Sequence, residues 1–196
     1  DHNRWLEFRR VLFRSVVVLG LGAVGKSCLS IRFVQNTFMV EYEPTISNTY
    51  KKTITVDGNS YSLDILDTAG METQESLKPN IYRDRDCFIL VYAVNDRASF
   101  DNISRLHSDI QRYKDNSNFP CILCGNKIDL PDHQVSEEEG KELAQNLNAI
   151  FMQTSAKTGY NVSEIMTKAV QEYLKLNKTN QEPLPDPSPK CHCNIL

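Results

Sequence analysis

Three absences narrow the reading before any motif is considered. The chain has no excess of positive charge: 22 Lys and Arg against 25 Asp and Glu leave a formal charge of -3. That argues against non-specific binding to nucleic acid, which rests on a basic surface that neutralises phosphates. The chain has no apolar run approaching the roughly 20 residues of a membrane-spanning helix. It also lacks a cysteine framework, although it has six cysteines. Cys28 follows a glycine-rich motif, Cys87 opens an apolar stretch, Cys121 and Cys124 flank another, and Cys191 and Cys193 lie near the end. The Cys121-to-Cys124 spacing fits a zinc or redox pair, but no second pair stands at metal-ligand distance. Both are read as buried strand residues, and the compartment as a reducing one, the cytosol.

What is present suits one globular domain. Of the 196 residues, 40% are hydrophobic and 24% charged, which supports a full core with short tails. Residues 1–14, DHNRWLEFRRVLFR, have no signal-peptide apolar run and match nothing downstream. They are set apart as an unassigned extension, read as a scar of processing or assembly. The domain is expected over 15–176, and 177–196, polar with four prolines after Asn177, as an extended linker.

Val16 to Leu19 reads as a buried strand, and Lys26 to Gln35 as a helix with Leu29 and Phe33 on its apolar side. Thr49–Val56 and Ser60–Leu66 are joined by Asp57-Gly58, a hairpin signal. Cys87–Val94 and Cys121–Cys124 are further strands with a helix, Ala98 to Lys114, between them. Ser136 opens a capping box before a helix reaching about Asn148. Ile150–Met152 is the last strand and Val162–Leu176 the last helix. Alternation after one hairpin predicts an α/β fold: a six-stranded, mostly parallel sheet with one antiparallel edge strand and helices on both faces. Ligands of such folds sit beyond the carboxyl ends of the strands.

The motifs fall there. Gly20-Leu-Gly22-Ala23-Val24-Gly25-Lys26-Ser27 fits G-x-x-x-x-G-K-[ST] between a strand and a helix. Its backbone amides can cradle phosphates. Lys26 puts a cation on the β- and γ-phosphates, Ser27 can ligate Mg²⁺, and the helix N-terminus adds its dipole. The motif does not choose between ATP and GTP. Asn126-Lys127-Ile128-Asp129 does: a carboxylate can accept from guanine N1–H and the exocyclic amine, whereas adenine would face it with a lone pair. Alone it could be a polar turn; with the phosphate loop it becomes specific. Lys127 could lie over the base plane and Asn126 tie the two loops together. Thr154-Ser155-Ala156-Lys157 can present a backbone N–H to guanine O6. Asp67-Thr68-Ala69-Gly70 places a carboxylate for Mg²⁺, acting through water, and a Gly70 N–H for the γ-phosphate. Thr45, in Glu43-Pro44-Thr45-Ile46, has a hydroxyl that can reach the metal once the γ-phosphate orders its loop.

In order and spacing, GLGAVGKS, EPTI, DTAG, NKID and TSAK resemble the Ras-like small GTPases, closest to the Ras and Rheb branches, from Ser15 to about Leu176. The resemblance implies a switch that binds GTP or GDP with Mg²⁺ and hydrolyses GTP. It implies Gly20, Gly22, Ala23, Val24, Gly25, Lys26, Ser27 and Cys28 at the phosphates. Phe38, Asn126, Lys127, Asp129, Ser155, Ala156 and Lys157 are implied at guanine, and Ser27, Thr45 and Asp67 at the metal. Lys26, Thr45, Gly70 and Met71 fall at the catalytic positions. Residues 40–50 and 68–85 would be switches I and II, meeting exchange factors, activating proteins and effectors; a monomer without nucleic-acid partners is expected.

The chain departs from its family at Met71, where a glutamine usually orients the attacking water; Gln74 lies one turn further on. Gly22, where bulk would obstruct an arginine finger, is retained. Ser47 and Asn48 occupy positions that are acidic in Ras itself, which disfavours partners that read those carboxylates with basic residues. Two classes therefore remain, a cycling GTPase and a GTP-loaded binding module that rarely hydrolyses, with an ATP-dependent transferase a distant third. Finally, Cys193-Asn194-Ile195-Leu196 matches C-a-a-X with a Leu that favours geranylgeranyl. Stable anchoring usually takes two signals, and Cys191 is the second candidate. Cys191-His192-Cys193 as a metal ligand set is the lesser alternative. The expected location is the cytoplasmic face of a membrane.

Overall fold

A computed structural model describes residues 12–38, 47–68, 78–114 and 118–178. The sheet is built from β1 (Leu12–Leu19), β2 (Ser47–Val56), β3 (Asn59–Thr68), β4 (Cys87–Ala93), β5 (Cys121–Asn126) and β6 (Ile150–Gln153). Their order is β2-β3-β1-β4-β5-β6. The β2–β3 pair is antiparallel and every other neighbouring pair is parallel, so the expected topology is met. Between the strands run α1 (Lys26–Gln35), α2 (Lys78–Arg83), α3 (Arg97–Asp101), α4 (Ile103–Lys114), α5 (Glu137–Asn146) and α6 (Val162–Lys178).

Local chemistry accounts for most of these boundaries. At the hairpin Asp57 and Gly58 have φ of 49 and 78, the two positive values that a two-residue turn matched to strand twist requires. The Ser136 hydroxyl accepts from the Glu139 amide, and the Glu139 carboxylate accepts from the Ser136 amide, so the expected capping box starts α5. Asp96 caps α3 by accepting from the amides of Ala98 and Ser99.

Besides shifts of one or two residues at other strand and helix ends, four differences from expectation stand out. β1 begins at Leu12 rather than Val16, which draws residues 12–14 out of the presumed extension and into the domain. They pair with Tyr61 to Leu63 on β3, and the Arg14 guanidinium lies 4.4 Å from the centre of the Tyr173 ring. An arginine packed on aromatic faces carries no hydrophobic-run signal. The single helix expected over 98–114 is interrupted at Asn102, slightly, since that residue stays helical (φ -75, ψ -14). Helix α6 continues two residues into the presumed linker. Helix α2 was not anticipated, because six residues are too few for a 3.6-residue period to register.

Strand β4 divides the core. Cys87, Ile89, Val91 and Ala93 face one cluster with Leu29 and Phe33 of α1 and Ile165, Met166 and Val170 of α6. Phe88, Leu90, Tyr92 and Val94 face another with Phe100, Leu106, Ile110 and Ala144. All seven residues of β4 are buried, each large side chain stabilising the fold by about 1.5–3 kcal/mol relative to exposure. Cys121 joins the second cluster and Cys124 the first. The two thiols of the Cys-x-x-Cys thus lie on opposite faces of the sheet. Among the described residues no group of three or more His, Cys, Asp or Glu is gathered for a metal, and Cys28, Cys87, Cys121 and Cys124 are free thiols. No described helix is long and apolar enough to cross a membrane.

One histidine belongs to the buried core. His107 on α4 is buried, its ring 5.1 Å from that of Phe119. Burial holds its pKa below the ordinary 6.5, opposed by a hydrogen bond with the Leu147 backbone. The folded value lies below the unfolded one, so the stability carried by the neutral ring is complete above 6.5 and is lost as the pH falls through it. Replacing His107 by Gln is expected to flatten the decline in melting temperature between pH 7 and pH 5. Parallel curves for the two proteins would show that His107 does not contribute to that decline.

Candidate functional site

The carboxyl ends of β1, β3, β5 and β6 bring four of the sequence motifs together. At two glycines of the β1–α1 junction the neighbouring atoms stand so close that a side chain is excluded. A Cβ on Gly20 would stand 2.2 Å from the Val91 carbonyl oxygen, and one on Gly25 2.4 Å from Asn126 Nδ2. Gly25 is also the N-cap of α1, left-handed at φ 96, and no side chain caps the helix there. The first-turn amides of α1 are therefore left to whatever anion arrives. Lys26 is 6% exposed and arches back over the loop, its ammonium donating to the carbonyls of Gly20 at 2.9 Å and Leu21 at 2.7 Å. Burial pushes its pKa down to about 8, with Asp67 opposing.

Asp67 is the complementary defect. It is fully buried, and among the described residues neither carboxylate oxygen has a hydrogen bond of good geometry. Burial pushes its pKa up, opposed first by the Ser27 hydroxyl and then by Lys26. A buried carboxylate without a full set of donors is costly, and a divalent cation relieves that cost. Ser27 and Asp67 fit Mg²⁺, which binds through few protein ligands where water and phosphate oxygens supply the rest. Thr68, next in the chain, is occupied structurally: its hydroxyl donates to the Val18 carbonyl at 3.0 Å.

Beside the phosphate loop opens a cleft of about 490 Å³, counting its mouth. Phe38, Asn126, Lys127, Asp129, Ala156 and Lys157 line it, with Gly25, Cys28 and Leu130. Asn126 is the junction. Its Nδ2 donates to the Val24 carbonyl at 2.9 Å, and its Oδ1 accepts from the Thr154 hydroxyl at 3.1 Å and the Ala156 amide at 3.3 Å. Three loops distant in sequence are thereby locked to one buried side chain. Asp129 is oriented by the Ser155 hydroxyl, which donates to Oδ1 at 2.6 Å. Its Oδ2 stands 4.0 Å from the Lys157 ammonium. Lys127 takes a left-handed φ of 68, which turns the chain sharply at the rim. Phe38, 36% exposed, is one of the two large hydrophobics open to solvent among the described residues.

The expected residues thus converge wherever they are described. Gly22 and Ala23 sit exposed in the phosphate loop, and Ser155 lies behind Asp129. Thr45, Gly70, Met71 and Gln74 fall outside the described residues, as do 39–46 and 69–77, the greater part of the two expected switches; Cys191 and Cys193 do as well. Two residues were missed. Leu130 lines the cleft, and nothing beyond its place after Asp129 announces it. Thr154 stands in a motif that was noticed, but its buried hydroxyl bridge to Asn126 depends on two strands being neighbours.

Comparison with known proteins agrees with this geometry. A sequence model described as the Ras family matches residues 15–175. The chain is similar to Ras-like protein rasC of Dictyostelium discoideum, 42% identical over 183 residues, 92% of this chain and 97% of that protein. Ras-like protein RAS2 of Hydra vulgaris is 41% identical over 182 residues, 92% and 95% of the two chains. Ras-like protein 1 of Saccharomyces cerevisiae is 46% identical over 150 residues, 76% of this chain and 48% of that protein.

The junction can be tested directly. Asn126→Ala removes three hydrogen bonds and strands the Val24 carbonyl and the Ala156 amide in a buried setting. A loss of about 2–4 kcal/mol in stability is expected, read from the urea midpoint at unchanged slope. A loss under about 1 kcal/mol would mean that water replaces the amide and that the loops are held elsewhere.

Proposed function

Since the chain belongs to the Ras family of GTP-binding, GTP-hydrolysing switches, we propose that the loop, carboxylate and cleft just described bind guanine nucleotide with Mg²⁺ and that the turnover is slow. The observation that carries the first part is the matched pair of deficits: an uncapped helix N-terminus with a buried Lys26, and a buried Asp67 without a well-formed hydrogen bond among the described residues. The α1 amides and Lys26 take the phosphates through Gly20, Gly22, Ala23, Val24, Gly25 and Cys28. Ser27 would hold Mg²⁺, with Asp67 acting through water, and the bound metal would supply neutralisation of phosphate charge. Asp129, pre-oriented by Ser155, reads guanine N1–H and the exocyclic amine. The Ala156 amide meets O6, Lys127 and Lys157 flank the base, and Phe38 packs on its edge. Thr45 and Gly70 reach the γ-phosphate from the switches, through which exchange factor, activating protein and effectors act on a monomer.

Slow turnover rests on Met71. GTP hydrolysis leaves the protein little covalent work, so the rate depends on positioning and charge. Lys26 and the loop amides supply charge, but a thioether has no N–H or O–H to hold a water in line. The second reading, a module that stays loaded with GTP, rests on the same residue and is the limit of this one. Fluorescent-nucleotide titration and single-turnover hydrolysis test both parts together. Asp129→Ala is expected to abolish most GDP affinity, and Met71→Gln to raise hydrolysis by about tenfold or more, the scale on which positioning acts, at unchanged affinity. Undiminished GDP binding in the first variant removes Asp129 as the base reader. A wild-type rate that Met71→Gln leaves unaltered clears Met71, and loss of that rate in Gln74→Ala would assign the water to Gln74.

The proposed location rests on the C-a-a-X match at Cys193. Cys193 is the prenyl acceptor, with Cys191 as the second lipid site, holding the domain at the cytoplasmic face of a membrane through the linker after α6. Fractionation of the full chain in cells is expected to move Cys193→Ser wholly to the soluble fraction and Cys191→Ser only in part. Membrane retention of the Cys193 variant would rule out anchoring at that residue.

A further inference from the structure

The last turn of α1 is joined to the turn after β6 by one side chain. The Arg32 guanidinium donates through Nη1 to the Asn36 carbonyl at 3.1 Å and through Nη2 to the Thr158 carbonyl at 3.4 Å. Asn36 is the C-cap of α1. Gly159 lies against the fork: with φ +85, a Cβ there would stand 3.0 Å from Nη2 and 3.1 Å from Nε. The guanidinium therefore rests on bare backbone as well as on a carbonyl.

The turn itself is internally bonded. The Gly159 amide donates to the Ser155 carbonyl at 2.8 Å, the Thr158 amide to Ser155 Oγ at 3.1 Å, and the Ser155 amide to the Tyr160 carbonyl at 3.1 Å. Those bonds fix its shape but not its place over the cleft. Its place is set from outside: Asn126 holds Thr154 and the Ala156 amide at one end, the Ser155 hydroxyl ties it to Asp129, and Arg32 alone reaches Thr158 at the other end among the described residues.

We infer that Arg32 is a positioning residue for base recognition: by clamping Thr158 to the C-terminus of α1, it holds the Ala156 amide where a purine 6-oxo group meets it. This rests on the reading that the cleft takes guanine. Helix α1 then serves the ligand at both ends, its first turn at the phosphates and its last turn steadying the loop that reads the base. The competing role is simple capping, since a cation at a helix C-terminus stabilises the helix by itself. Lys would perform that role but cannot fork between two carbonyls.

The two roles separate in the dissociation rates of GDP and 6-thio-GDP, chased from the full chain in Mg²⁺. The thio analogue keeps N1–H and the exocyclic amine for Asp129 but replaces O6 by sulfur, a weaker acceptor. Wild type is expected to hold GDP longer than 6-thio-GDP. Arg32→Ala is expected to speed GDP release about three- to tenfold, the scale of one hydrogen bond, with little effect on the analogue. Arg32→Lys is expected to keep the wild-type melting temperature yet lose the same preference. Equal acceleration of both nucleotides by Arg32→Ala, no acceleration of either, or full recovery of the preference by Lys would each overturn the positioning role. Failure of wild type to bind GDP would instead overturn the reading of the cleft on which the inference rests.

Discussion

The site depends on the side-chain amide of Asn126 more than on any other contact. Val24 lies on the phosphate loop and Thr154 and Ala156 on the turn after β6, and each is bonded to the same three-atom group inside the protein. A primary amide suits this place because it both donates and accepts; an aspartate in its stead could not donate to the Val24 carbonyl. Crowding enforces the same choice. A Cβ on Gly25 would collide with Asn126 Nδ2, so glycine in one motif and asparagine in another are a single packing solution.

Around that junction the protein leaves its charges incompletely answered. Among the described residues the Lys26 ammonium is hydrogen-bonded to backbone carbonyls, at 2.9 and 2.7 Å, and Asp67 has buried oxygens without well-formed bonds. Both pKa shifts have the same leading cause, burial, acting on opposite charges in opposite directions. A domain optimised for stability alone would not bury these groups so. The deficit is bearable because binding offsets it, which couples the folding of the domain to its ligand.

Much of this was legible in the sequence, for identifiable reasons. Glycine spacing, Lys26, Asp67 and the Asn126–Asp129 run each carry a local chemical demand, and local demands survive in a linear string. The Asp57-Gly58 turn and the Ser136 capping box were legible on the same ground. What escaped depended on tertiary neighbours. Arg14 looks like a charged residue ill-suited to a strand until Tyr61 and Tyr173 lie beneath it. The Thr154 bridge needs β5 beside β6. Arg32 looks like an ordinary solvated arginine near a helix end until Thr158, 126 positions away, comes within reach.

The register of the β2–β3 hairpin bears on how such a molecule can rearrange. Ser47 pairs with Thr68 and Asn48 with Asp67, so the ends of β2 and β3 meet the rest of the chain at adjoining points. The ten paired positions behind them form a ratchet with no half-steps: a slip of one residue would turn every side chain of a strand to the opposite face. Neither attachment point can therefore slide without dislodging Asp67. Any rearrangement of the hairpin by sliding is thereby excluded, and the ends of β2 and β3 stay fixed to one another.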